Sequence, residues 1–141
     1  MNYVDTFIVA AEDCPVSHGV VPESKADKKK SVAAIQYQLL AENPYELTQE
    51  DVLFQTHVLH KQVPEDELKT RGAAMRQEFF AKPQPCLRTS PLARKYGWGF
   101  HCDRAGKVAL YPVGSSEYQQ FSSEASGSVS QHLKAFRSSR G

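Results

Sequence analysis

The run Gly97-Trp98-Gly99-Phe100-His101-Cys102-Asp103-Arg104-Ala105-Gly106-Lys107-Val108-Ala109-Leu110-Tyr111 folds back on itself. Asp103 and Gly106 hold the first and fourth places of Asp103-Arg104-Ala105-Gly106, the pattern of a type I turn. Aromatic and β-branched residues on either side make this a β-hairpin. Side chains alternate along a strand, so Trp98, Phe100 and Cys102 share one face and Gly97, Gly99 and His101 the other. On the return strand Val108 and Leu110 oppose Lys107, Ala109 and Tyr111. Pro112 cannot donate to the ladder and ends the strand or marks an edge.

Before the hairpin, Thr6 to Ala11 is a β-type run closed by Glu12-Asp13-Cys14-Pro15, the first strand. Residues 17 to 27 are loop-like. Asp27 is placed to accept from the free N–H groups of a new helix. Val32, Ile35 and Leu39 recur at spacings of three and four, which gives that helix one apolar face. Asn43-Pro44 ends it, because the residue before proline disfavours the α region. Thr48 and Asp51 resemble a capping box, with Asp replacing the usual Glu or Gln. Val52, Phe54, Thr56 and Val58 then alternate with Leu53, Gln55, His57 and Leu59, which predicts one helical turn followed by a strand to about Lys61. Pro64 fits the first position of the next helix, and Glu65, Asp66 and Glu67 suit its positive dipole end. Leu68, Gly72, Met75 and Phe79 form its stripe, and Pro83 and Pro85 stop it near Lys82. The chain runs extended from Cys86 and turns at Ser90-Pro91.

After the hairpin, Ser115 or Ser116 caps a short helix through Tyr118 and Phe121. Residues 122 to 130 are rich in Ser and Gly and read as a linker. Val129 to Phe136 predicts a last short helix, followed by the basic tail Arg137-Ser138-Ser139-Arg140-Gly141. The expected fold is α+β: a small, mainly antiparallel sheet with about three helices packed on one face, in the order β-α-β-α-β-β-α. Residues 1–121 are expected to form a single globular domain and 122–141 a linker, short helix and tail.

A chain of 141 residues buries about two-thirds of its unfolded surface and needs no staple. Its hydrophobic content of 40% and charged content of 23% are ordinary globular usage. A net charge of +1 gives no chain-wide field that would favour nucleic acid or a membrane, so a charged partner must be met by a local patch. Three Cys without a pairing pattern argue for a reducing compartment. Asp5 stands where a signal peptide carries a base, and the run Phe7 to Ala11 is too short for a signal core. No segment approaches the roughly 18 apolar residues of a membrane span. A cytoplasmic protein without membrane contact is expected.

Gln84-Pro85-Cys86-Leu87-Arg88, Ser90-Pro91-Leu92 and Lys95-Tyr96-Gly97-Trp98-Gly99, with His101, Asp103, Gly106-Lys107 and Ala109-Leu110-Tyr111, carry a resemblance. With Asp51-Val52-Leu53-Phe54 and Glu12-Asp13-Cys14-Pro15, they resemble a family of small microbial proteins known as a domain of unknown function, number 6157. The likeness covers nearly the whole chain, although the Ser-rich 122–130 stretch is longer than the family pattern. It implies a shared fold and transfers no site residue.

Several chemistries fail on geometry. Neighbours on a strand face opposite ways, so His101 does not serve Cys102, which shares the apolar face of Trp98 and Phe100 as a buried thiol. Cys14 and His18 have metal-like spacing, but zinc needs three or four convergent ligands, and on a strand His57 and His60 diverge. Glu65-Asp66-Glu67 is a helix start rather than a carboxylate pair in contrasting environments. No phosphate-loop or dinucleotide motif is present. No catalytic residue, metal or cofactor is assigned.

The remaining cluster is basic and aromatic: Arg88, Arg94, Lys95, Tyr96, Trp98, Arg104 and Lys107. Guanidinium forks suit phosphate or carboxylate, and aromatic faces stack on rings. The competing view makes Trp98 a core anchor and Arg94-Lys95 solvated loop charges. Lys28-Lys29-Lys30 is either a solvated helix start or a basic surface for an anionic partner. The leading expectation is a non-enzymatic binding module for a small anionic or phosphate-bearing ligand at residues 88–107. Arg88, Arg94, Lys95 and Lys107 would supply charge, Ser90 and His101 hydrogen bonds, and Tyr96 stacking. Two alternatives are a small enzyme using His101 and Asp103 as an acid–base pair, and a protein-interaction element or homodimer burying an apolar patch.

Overall fold

The computed structural model describes residues 2–23, 29–123, 127 and 129–138. The hairpin forms as expected, with β2 (Trp98–Cys102) antiparallel to β3 (Val108–Pro112) and Phe100 opposite Leu110. Asp103 builds the turn. Its carbonyl accepts from Gly106 N at 3.0 Å, and its carboxylate accepts from Ala105 N at 2.9 Å and Lys107 N at 2.8 Å. Gly106, at φ 79°, takes the left-handed position that closes such a turn.

β1 (Thr6–Val9) lies antiparallel to β2 on its other side, with Phe7 opposite His101. A fourth strand, β4 (Gln131–Lys134), pairs in parallel with β1, giving the order β3-β2-β1-β4. The fold is α+β and mostly antiparallel. The helix expected over Val129 to Phe136 is therefore a strand, and it joins the sheet of the 1–121 segment by pairing with β1. The spacing of Val129, Leu133 and Phe136 imitates a helix; in the strand, Leu133 packs on the core while Val129 and Ala135 are buried at its flanks.

Helices α1 (Val32–Glu42), α2 (Gln49–His60) and α4 (Pro91–Arg94) cover one face of the sheet. The core between them joins Ile8, Phe100, Cys102 and Val108 to Leu40, Val52, Leu87 and Leu92. Each such side chain taken from water contributes about 1.5–3 kcal/mol. Ser31, not Asp27, caps α1, its Oγ accepting from Ala34 N at 3.2 Å; Asp27 and Lys28 lie outside the described residues. A short 3-10 turn (Leu87–Thr89) precedes α4, where a simple extended stretch was expected. The other face of the sheet is covered by α5 (Ser116–Ser122), capped by Ser115, whose Tyr118 and Phe121 pack on Phe7.

The strand expected to reach Lys61 is a continuous helix, α2. Thr48 Oγ1 accepts from Asp51 N at 3.2 Å, and Asp51 Oδ2 accepts from Thr48 N at 3.0 Å, so the capping box is complete. α3 (Glu65–Phe80) follows, with Pro64 as its cap rather than its first residue. α3 lies outside the core and touches α2 through Phe79, whose ring centroid is 5.8 Å from that of Phe54.

The string Lys95 to Gly99 binds the loop before α1. Tyr96 O accepts from Val20 N, and Trp98 Nε1 donates to Val20 O, both at 2.8 Å. Gly97 sits at φ 77°, and a Cβ there would stand 2.2 Å from the His18 carbonyl oxygen. Trp98 is thus a buried anchor, and backbone approaches its neighbour Gly97 too closely for a side chain.

Candidate functional site

The seven residues expected to converge at 88–107 do not meet at one place. Arg88 holds down β4, with Nε donating to Lys134 O at 2.7 Å and the guanidinium 4.3 Å from the Phe136 ring centroid. Ser90 is buried; its Oγ caps α4 by accepting from Leu92 N and donates to Gln36 Oε1 at 2.5 Å. Arg94 ends α4, and its buried Nε has no hydrogen-bond partner among the described residues. Lys95 is exposed, and Tyr96 packs against the core. Lys107 Nζ donates to Glu46 O at 3.2 Å. His101 lies on the α5 face, with the sheet between it and α4.

His101 is 5% exposed and belongs to a buried aromatic group. Its ring stacks on Phe121 at a centroid distance of 4.1 Å, and Nδ1 is 2.9 Å from Tyr45 Oη, itself 2.7 Å from Tyr111 Oη. Burial, then the hydrogen bond with Tyr111, holds the Tyr45 phenol above the ordinary tyrosine range. Asp103 spends its carboxylate on the turn amides, so the acid–base pair of the enzyme alternative has other partners on both sides. Burial, then the Asp103 charge, pushes the Cys102 thiol up to about 12, which leaves no thiolate at neutral pH.

A different set of polar groups does converge. A cleft of about 260 Å³ opens between the first turns of α1, the flank of α2 and the segment leading into α4. Gln36 of α1, His57 and His60 of α2, and Thr89 and Ser90 line it, with Cys86 beside them. Residues three apart on a helix share a face, so reading α2 as a helix brings together the two imidazoles that a strand would have separated. The His57 ring leans on Phe79 at 4.7 Å, which fixes its orientation. Gln36 is 4% exposed, and its carbonyl oxygen accepts from Ser90 Oγ. The first turn of α1 reaches the cleft through Val32 and brings the positive end of an 11-residue helix. Of the expected site residues only Ser90 belongs to this cleft. The sequence signal for the rest was His57 and His60 at helical spacing.

Among the described residues, no three His, Cys, Asp or Glu side chains gather closely enough to hold a metal ion. None of Cys14, Cys86 and Cys102 is bridged. Among the described residues no helix is long and apolar enough to cross a membrane.

The family of unknown function DUF6157 matches residues 1–141. The chain belongs to this family. No curated protein and no solved structure matches it. In this DUF6157 chain the Lys95 to Gly99 string that carried the resemblance is architectural: it fastens the 16–20 loop to β2. Membership of DUF6157 brings no assigned activity, so the candidate site rests on the cleft itself.

Proposed function

We propose that this protein is a non-enzymatic binding module for a small anionic ligand, a phosphate or carboxylate, held in the cleft between α1, α2 and the segment entering α4. The observation that carries the reading is the convergence of Gln36, His57, His60, Thr89 and Ser90 on one cleft beside the N-terminal turn of α1. A helix N-terminus favours negative charge, and an imidazole N–H donates to an acceptor oxygen. The cytoplasm is the proposed compartment, supported by three thiols of which none is bridged.

The test is thermal unfolding with inorganic phosphate and small carboxylates, at low and high salt. A ligand at a hundred times its dissociation constant adds about 2.7 kcal/mol, a midpoint shift of several degrees. The shift is expected to weaken with salt, to disappear in a His57→Ala, His60→Ala double variant, and to survive Arg94→Ala. A shift retained by the double variant but lost on Arg94→Ala would return the site to the 88–107 region.

A further inference from the structure

α3 is a 16-residue helix that contributes no buried residue. Helices of this length are marginal in water without a packed face, yet α3 carries an apolar stripe, and its own chain fills little of the space behind it. A cleft of about 450 Å³ runs between α2 and α3, walled by Phe54, Val58 and Leu59 on one side and Leu68 and Gly72 on the other. Leu59 is 51% exposed there. The charged residue in the wall is Arg76, its guanidinium carbon 5.8 Å from the Phe54 ring centroid and its Nη1 3.0 Å from Asp51 Oδ1. A guanidinium has five N–H donors, and among the described residues only Asp51 is within ion-pair reach.

We propose that this cleft is a second binding site, for a small apolar molecule bearing an anionic head. The volume and the mainly apolar walls match sites for small organic molecules, in the range of about 300–1,000 Å³. The single guanidinium gives the complementary charge. A second copy of the chain fits less well, because the outward residues of α3, including Glu65, Lys69, Thr70, Gln77 and Glu78, are exposed and polar and offer no apolar rim. The site is separate from the polar cleft and does not depend on it.

Gly72 makes the proposal testable. A Cβ there would meet only Leu68 of its own helix, at 3.7 Å, so a larger side chain can grow into the cleft without a clash. The probe is 1-anilinonaphthalene-8-sulfonate, read by fluorescence, with neutral N-phenyl-1-naphthylamine as its uncharged counterpart. The parent and Gly72→Ala are expected to bind the sulfonate, and Gly72→Leu to bind it at least about tenfold more weakly. Both variants should melt no lower than the parent and give the same phosphate response. The sulfonate should bind more tightly than the neutral probe in the parent, and Arg76→Gln should abolish that preference. Equal sulfonate binding by Gly72→Leu, or none by the parent, overturns the proposal. So does a concentration-dependent mass that Gly72→Leu removes, which would make the occupant a second copy.

Discussion

Gly99 stands where β1, β2 and α5 meet. A Cβ there would lie 2.7 Å from Phe7 Cζ, 2.8 Å from Tyr118 Cε2 and 3.0 Å from the Ile8 carbonyl oxygen. Two of these atoms belong to packed rings and the third to backbone, so nothing yields easily. Gly99→Ala is expected to cost about 1–3 kcal/mol through overpacking, lowering the melting midpoint by several degrees and displacing α5, which near-ultraviolet circular dichroism would register. An unchanged midpoint would mean that α5 docks more loosely than its contacts with Phe7 and Gly99 indicate. The same side of the sheet explains His101. A residue that looked like an exposed hydrogen-bonding group is sealed under Phe121 and tied to Tyr45, because α5 covers the face left open by the small residues Gly99 and Ala109.

α2 opens on a capping box whose acid has a shifted equilibrium. Burial alone would raise the Asp51 pKa, but hydrogen bonds from Thr48 and the pairing with Arg76 outweigh it, and the net displacement is downward. A carboxylate depressed in the folded state stabilises above its unfolded value, near 3.9, and loses that contribution as pH falls through the folded value. Asp51→Asn keeps the shape of the cap and removes its charge. It is expected to lower stability by about 0.5–1 kcal/mol at pH 7, with the gap narrowing as pH falls below about 4 in urea unfolding; a gap independent of pH would refute the electrostatic origin. The same helix shows why part of the fold was hidden in the sequence. Two residues along a helix turn by about 200°, so a helix covered on opposite sides buries every second position. Val52 and Thr56 are buried on one side and Phe54 and Val58 on the other, towards α3, and the result copies a strand. That misreading also separated His57 from His60 and hid the polar cleft. The hairpin and α5 were legible because each has one covered face and a clear turn or cap, whereas α1 was legible as a helix but with its cap misplaced at Asp27.

The sheet is completed by chain that lies far from its other strands in sequence. Arg88 secures that piece twice, through its side chain to Lys134 O and through its carbonyl, which accepts from Phe136 N at 2.8 Å. Arg88→Ala is expected to cost about 1–2 kcal/mol, from one charge-assisted hydrogen bond and a ring contact. Amide exchange should accelerate at β4 before it does at β2 and β3, with the phosphate response of the polar cleft intact. Uniform acceleration across all four strands would show that β4 opens only with the rest. Arg88 therefore looked like a ligand residue from its position in the sequence and acts as a clasp, a role that depends on a contact 46 residues away.

The parallel pairing of β1 with β4 joins positions 125 residues apart. Non-local pairing of this kind slows folding, since the ends of a long loop must find each other before any contact rewards them. As ribosomes extend a chain by about 5–20 residues per second, β1 is made first and then waits some 6–25 seconds for its second neighbour. Until then the apolar strand Thr6–Val9 keeps one edge open to other nascent chains. Yield during synthesis, rather than stability once folded, is where this topology leaves the protein most exposed to temperature and to expression rate.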